Sequence, residues 1–330
     1  MQAVVLNQFG EPADVLRIES RDQPVPASGH VRVRMLASPI NPSDLMMVRG
    51  QYGILPELPA TPGFEGVGIV EASGGGLLGK FLVGKRVAVL NGTTGNWQEQ
   101  TTVPAKQAVP LGDELSVEQA AMFFVNPATA YVMTRQVLNV PRGAWLLQTA
   151  AGSALGKMVI RLGRKYGFRT LNVVRREEQV AELKSLGGDA VIAASPAELP
   201  AAVTEITSGQ GVPYAIDPVG GALGSAVVQS LGKGGRMLVF GTLSGEPLSF
   251  SPRDIMTPDA NIAGFWLSNH MNSLNLIGKL KLVKTVKTLL RDGILTADVG
   301  ETFPLEKVCD AVQAAEQPGR AGKVLLSIGE

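Results

Sequence analysis

The sequence predicts an α/β protein in which a β-rich N-terminal module precedes a doubly wound parallel sheet. Three observations carry that prediction. Residues 1 to about 120 fall into short alternating segments separated by Gly/Pro clusters, the texture of a β module. From about residue 121, short apolar strands alternate with helical stretches at steps of about 20 to 26 residues, the rhythm of βαβ units. Between the first of these strands and a helix stands Ala151-Gly152-Ser153-Ala154-Leu155-Gly156, a run of small residues where backbones can approach closely. At about 100–200 residues per domain, 330 residues accommodate two domains. The expected division is 1–120, 121–268, and 269–330 returning to complete the first domain.

In the first module, strands are expected at 2–6, 30–37, 65–72 and 85–90, with Val31, Val33 and Met35 on one face of the second. Between them, Asn41-Pro42-Ser43-Asp44 and the proline-rich 55–63 read as loops, because proline removes backbone donors and breaks regular elements. The second half is expected to hold strands at 145–149, 170–174, 190–193, 214–217, 236–240 and 262–265. Helices are expected at 157–166 and 177–186, the latter with Val180, Leu183 and Leu186 spaced at helical intervals before a Gly187 stop. An amphipathic helix follows at 276–291 and a last strand at 323–328.

Composition removes several function classes. The 30 Lys+Arg against 29 Asp+Glu leave a net charge of +1, so no global basic field gathers nucleic acid or an anionic membrane. Lys279, Lys281, Lys284 and Lys287 read as the solvated face of a helix whose other face carries Leu276, Leu280, Val283 and Leu290. One cysteine, Cys309, forms no intrachain disulfide, and two histidines, His30 and His270, leave too few ligands for a Cys/His zinc site. The longest apolar run, 120–125, is far below the roughly 20 residues that span a bilayer, and MQAVVLNQFG lacks the basic-then-apolar pattern of a signal peptide. The expectation is a soluble cytoplasmic protein with no nucleic-acid or membrane partner.

The small-residue turn at Gly152, Ser153, Ala154, Leu155 and Gly156 is a degenerate form of the dinucleotide fingerprint, and an ordinary tight βα turn is its structural alternative. Its place at the head of the βαβ series favours the dinucleotide reading, with the helix N-terminus facing phosphates. The next strand ends in Arg175-Arg176, where a site for the unphosphorylated ribose would carry Asp or Glu. Two guanidiniums suit a 2′-phosphate, so the expected cofactor is NADPH; the alternative is a solvated arginine pair.

The order of a β-rich module, a dinucleotide half and a returning C-terminus resembles the medium-chain dehydrogenase/reductase superfamily, which implies a GroES-like domain plus a Rossmann domain. In its zinc enzymes a ligand cysteine precedes a Thr/Ser-Asp pair, and a ligand histidine sits in Gly-His-Glu. Here Asn41 and Phe64 occupy those positions, in Asn41-Pro42-Ser43-Asp44 and Gly63-Phe64-Glu65, so the resemblance implies no zinc. Together with Arg49-Gly50-Gln51-Tyr52-Gly53-Ile54-Leu55-Pro56-Glu57-Leu58-Pro59 and Gly264-Phe265-Trp266-Leu267-Ser268, these stretches resemble the mitochondrial-type 2-enoyl thioester reductases. That resemblance implies reduction of a conjugated carbon–carbon double bond, with Tyr52 as proton donor. It further implies Asn126, Phe240, Gly241, Thr242, Leu243, Phe265, Trp266, Leu267, Ser268 and Lys323 at the cofactor, and Asn41, Tyr52, Phe64, Phe265 and Trp266 lining the substrate pocket. The structural alternatives are helix capping for Asn126, core packing for Phe265 and Trp266, and an exposed strand position for Lys323. Ala154 stands where the family has glycine.

The resemblance implies an acyl thioester substrate, linked to CoA or an acyl-carrier protein, and a homodimer. A quinone oxidoreductase or general alkene reductase is the competing enzyme reading, and a non-enzymatic NADPH-binding protein the competing one outside enzymes. Asp217 is expected to cap the turn that follows it.

Overall fold

In the computed structural model, which describes residues 1–92 and 94–329, the chain forms two compact units: Met1–Val125 with Ala297–Glu330, and Asn126–Thr296. The first contains the strands β1 (Gln2–Leu6), β2 (Leu16–Ser20), β3 (His30–Pro39), β4 (Glu65–Ser73), β5 (Arg86–Leu90), β6 (Gln100–Pro104) and β7 (Ala108–Pro110). The second contains β8 (Trp145–Gln148), β9 (Arg169–Val174), β10 (Ala190–Ala193), β11 (Val212–Asp217), β12 (Leu231–Val239) and β13 (Asn261–Gly264). β14 (Val299–Pro304) and β15 (Lys323–Ser327) return to the first unit.

β1 and β2 make an antiparallel pair, and a seven-stranded sheet runs β14-β15-β3-β4-β5-β7 with β6 paired to β3. This is the GroES-like domain. Its interior follows from side-chain alternation: Val31, Val33 and Met35 all point inward and meet Val70, Val87, Val89 and Val103, fully or almost fully buried. Three of its short strands, β2, β6 and β7, were not expected as strands.

The stretch 41–44, expected as loop, instead starts the helix Pro42–Val48. Proline is tolerated at the first helical turn, where its missing N–H has no helical acceptor, and Asp44 three residues after Asn41 accepts the Asn41 backbone N–H. The pattern that reads as a breaker is therefore a helix start.

The second unit is a Rossmann domain: a six-stranded, wholly parallel sheet in the order β10-β9-β8-β11-β12-β13. The order reverses direction between β8 and β11, which places the ends of those two strands at the topological switch point. The helix Leu276–Arg291 packs within this unit through Leu282, Val286, Leu289 and Leu290, and Arg161 donates to the carbonyl of Thr296 at 2.7 Å. The return to the first unit accordingly begins at Ala297, not at 269. Among the described residues, no helix is long and apolar enough to cross a membrane.

Candidate active site

In the second unit, the chain leaves β8 through Thr149 and Ala150, whose φ of 49° lies in the left-handed region uncommon for a residue bearing a Cβ. The helix Ala154–Tyr166 begins three residues earlier than its apolar spacing suggests, because Ser153 caps it: its Oγ accepts from the Gly156 N–H at 3.1 Å. That leaves the N–H groups of Ala154 and Leu155 directed out of the helix N-terminus, an anion-binding arrangement. Gly156 is required by close approach: a Cβ there would lie 2.4 Å from the carbonyl oxygen of Ala151. Arg175 and Arg176 are exposed and follow directly on β9, ahead of the helix Glu178–Leu186.

Asp217, at the end of β11 and without solvent exposure, organises the switch point. It accepts from the Thr149 hydroxyl, from Val219 N–H at 3.1 Å and from Gly220 N–H at 2.8 Å. The expected turn cap is thus present, and it also ties β11 to the residue after β8. Past β12, Phe240 donates to the Asp217 carbonyl at 3.0 Å and Leu243 to the Pro218 carbonyl at 3.0 Å, so Phe240, Gly241, Thr242 and Leu243 fold over that turn. Phe265 bonds to the Val239 carbonyl at 2.8 Å, and Trp266 precedes the helix Leu267–Ser273, which also contains Ser268. Phe265 and Trp266 are half-buried rather than core residues. Asn126 lies inside the first turn of the helix Val125–Tyr131, not at its cap.

The first unit brings together Asn41, Tyr52, Phe64 and Lys323. Tyr52 follows the helix Pro42–Val48 in a tight turn, and its ring centroid lies 5.0 Å from that of Phe64, tilted by 36°. Phe64 is placed by Gly63, whose φ of 104° and 2.5 Å clearance to the Trp97 ring for a hypothetical Cβ leave room for glycine alone. Asn41 is 2% exposed; its Nδ2 donates to Glu65 Oε1 at 3.1 Å, while its Oδ1 is buried without a partner. Lys323, at the start of β15, is 4% exposed, so it is not the exposed strand lysine of the alternative reading.

Two carboxylates that sequence reasoning did not single out surround these residues. Asp44 Oδ2 accepts the Asn41 backbone N–H at 2.7 Å and Oδ1 accepts the Phe64 N–H at 2.9 Å. Glu65 Oε2 accepts the N–H groups of Phe124 (3.1 Å) and Val125 (2.8 Å). Burial pushes the Asp44 carboxyl up to about 7, against the pull of its two N–H donors and of Lys323. Burial likewise raises Glu65, opposed by its N–H donors, Asn41 and Lys323. Lys323 is lowered to about 8 by burial, opposed by both carboxylates. The signals for these groups were present: an Asn-x-x-Asp capping spacing, and a charged residue opening a strand whose next five residues are Gly, Val and Ile.

Asn41 and Phe64 offer one amide and one phenyl ring, a pair that does not fit zinc, which takes thiolate, imidazole or carboxylate. The free N–H groups at the start of the helix Ala154–Tyr166 and the exposed Arg175-Arg176 pair have the chemistry that a phosphorylated dinucleotide requires.

Family models match in both units: the alcohol dehydrogenase GroES-like domain over residues 27–113, and the zinc-binding dehydrogenase over residues 154–281. The human protein named mitochondrial enoyl-[acyl-carrier-protein] reductase is 31% identical over 332 residues, covering 99% of this chain and 89% of that one. Among solved structures, a Bacillus thuringiensis protein provisionally named NADPH:quinone reductase has a TM-score of 0.93 at 34% identity, covering 99% of this chain and 98% of that one. The Etr1p/NADP/crotonyl-CoA complex has a TM-score of 0.85 at 25% identity, with 99% of each chain covered. The mitochondrial location in the relatives' name lends no support to the cytoplasmic expectation. With both units matched in chain order and a curated relative alike from end to end, the chain belongs to the medium-chain dehydrogenase/reductase superfamily of oxidoreductases, as a relative of the mitochondrial enoyl-[acyl-carrier-protein] reductases.

Proposed function

We propose that this protein is an NADPH-dependent reductase of trans-2-enoyl thioesters in which Tyr52 is the proton donor. The observation that carries the reading is the placement of Tyr52: it follows a capped helix and packs on Phe64 at the former ligand position, where a metal has no ligands. NADPH, when bound, supplies the hydride for the β-carbon of the substrate. Ala154 and Leu155 N–H groups would hold its pyrophosphate, Arg175 and Arg176 its 2′-phosphate. The phenol of Tyr52 donates a hydrogen bond, then a proton, to the charge that develops on the enolate side. A phenol ordinarily titrates near 10 and is protonated at neutral pH, so this role needs no special environment. Asn41 and Phe64 line the substrate pocket in the first unit. An acyl carrier, CoA or protein, and a homodimer are parts of the same proposal; light scattering tests the second.

The test is NADPH oxidation with crotonyl-CoA, a longer enoyl-CoA and a quinone side by side. Wild-type protein is expected to turn over the enoyl thioesters. Tyr52→Phe should lose about tenfold or more of that rate while binding NADPH as before. Unchanged turnover in Tyr52→Phe removes the tyrosine from the mechanism. Turnover of quinone alone selects the second reading, a quinone oxidoreductase, which the similarity to the Bacillus thuringiensis structure favours.

A further inference from the structure

The two residues at the former ligand positions are joined in another way. A metal bound there would cross-link the loop before the helix Pro42–Val48 to the loop before β4. In this chain one carboxylate does so: Asp44 commits one oxygen to the backbone N–H of Asn41 and the other to that of Phe64, at 2.7 and 2.9 Å. Glu65 adds a second tie through the Asn41 side chain at 3.1 Å and fixes the Phe124–Val125 backbone with its other oxygen. The helix Pro42–Val48, which holds Asp44 in its first turn, is capped at its C-terminus by Arg49, which forks onto Glu11 (2.8 Å) and Glu316 (2.7 Å) just before the Gly50 turn into Tyr52. Tyr52 is therefore fixed from the helix start, from the helix end and through its ring on Phe64.

We propose that Asp44 is a positioning residue, clamping Asn41 to Phe64 so that the Tyr52–Phe64 pair keeps its geometry. A passive core position would be served better by an apolar residue, because a buried carboxylate is costly to desolvate unless every oxygen is engaged. Both Asp44 oxygens are engaged, and Lys323 supplies a buried counter-cation. The groups facing Asp44 are Glu65 on β4 and Lys323 on β15, with Arg320 in turn facing Lys323 from the segment before β15. In its ionised form Asp44 accepts both N–H groups; protonation weakens both bonds.

The catalytic consequence rests on the proposed function, but the clamp itself does not, and the experiment separates them. Hydrogen exchange of the Asn41 and Phe64 amides is measured across pH, expressed as protection over intrinsic rates, in the full-length wild type and in Asp44→Asn. The wild type is expected to lose protection at both amides together as the pH falls through about 7. Asp44→Asn should show about tenfold lower protection there at pH 8, with the amides of β8–β13 unaffected. In turnover, Asp44→Asn should lower kcat about tenfold with KM for NADPH within twofold of wild type, and should flatten the acid limb of the pH profile. Pairwise protection independent of pH in the wild type, readable even if the variant does not fold, overturns the clamp. Wild-type exchange and kcat in Asp44→Asn overturn it as well. Exchange that behaves as expected in a protein that reduces no enoyl thioester leaves the clamp standing and removes the proposed reaction instead.

Discussion

Two buried aspartates, one in each unit, show how differently the halves of this protein are built. Asp217 closes a local motif: its Thr149, Val219 and Gly220 partners lie at strand ends that the parallel sheet already brings side by side. Asp44 ties Asn41, just past β3, to Phe64, just before β4, at strand ends that the antiparallel β3–β4 pairing brings together, and it sits beside Glu65 and Lys323, a second carboxylate and a lysine buried with it. The second unit presents its chemistry through backbone, with N–H groups at a helix end and turns held by short-range bonds. The first presents it through side chains whose charges must balance out of water. Backbone chemistry tolerates sequence change as long as small residues stay small; balanced buried charge does not.

The largest expected effect follows from removing the balance. Lys323→Met leaves two buried carboxylates without their counter-cation, a change that typically costs about 3–5 kcal/mol. Calorimetry at pH 8 should show Tm lower by about 10 °C. The loss should shrink at pH 5. Burial raises Asp44 from the usual aspartate value of 3.8 to about 7 in the folded protein, so the cost of its buried charge is absent at low pH and is fully felt once the pH has risen through 7. Lys323 runs the other way: lowered from 10.5 to about 8, it favours the fold above 10.5 and loses that contribution as the pH falls through 8. An equal Tm loss at both pH values would show that the cluster is not held by charge.

The matching change in the second unit, Thr149→Val, removes one of three donors to Asp217 and should cost about 1–3 kcal/mol, read from denaturant midpoints. If it costs as much as Lys323→Met, the contrast between the aspartates fails. Replacing Arg175 and Arg176 with Ala should raise KM for NADPH about tenfold or more, equivalent to about 1.4 kcal/mol, and leave NADH nearly untouched. Equal effects on both cofactors would remove the arginines from phosphate recognition. The smallest effect belongs to Glu316→Gln: the half-exposed end of the Arg49 fork should contribute about 0.5 kcal/mol, detectable as a small shift in unfolding midpoint that disappears at high salt.

The same contrast explains what could be read from residues alone. Strand rhythm and the βα turn are local, and strands β8 to β13 were all expected within two residues of their observed bounds except β12, which starts five residues earlier than expected. The inward face of β3 was equally legible, since alternation at Val31, Val33 and Met35 needs only one strand. The helix Pro42–Val48 was missed because Asn-Pro-Ser-Asp reads as a turn unless the proline is recognised as a first-turn residue and the aspartate as its capping partner. Asp44, Glu65 and Lys323 were not grouped because their meeting depends on β15 pairing antiparallel with β3, a long-range event with no local signature. Lys323 was expected at the cofactor, and its burial beside carboxylates came from the fold alone.

That pairing also imposes an order on synthesis. The Rossmann unit is contiguous and can complete its sheet as soon as Thr296 is available, whereas the GroES-like unit lacks β14, β15 and Lys323 until the residues after Thr296 are made. Until then Asp44 and Glu65 have no counter-cation, so the nascent first unit must hold them protonated or hydrated. The half that carries the proposed proton donor is thus finished last, after the half that binds the dinucleotide.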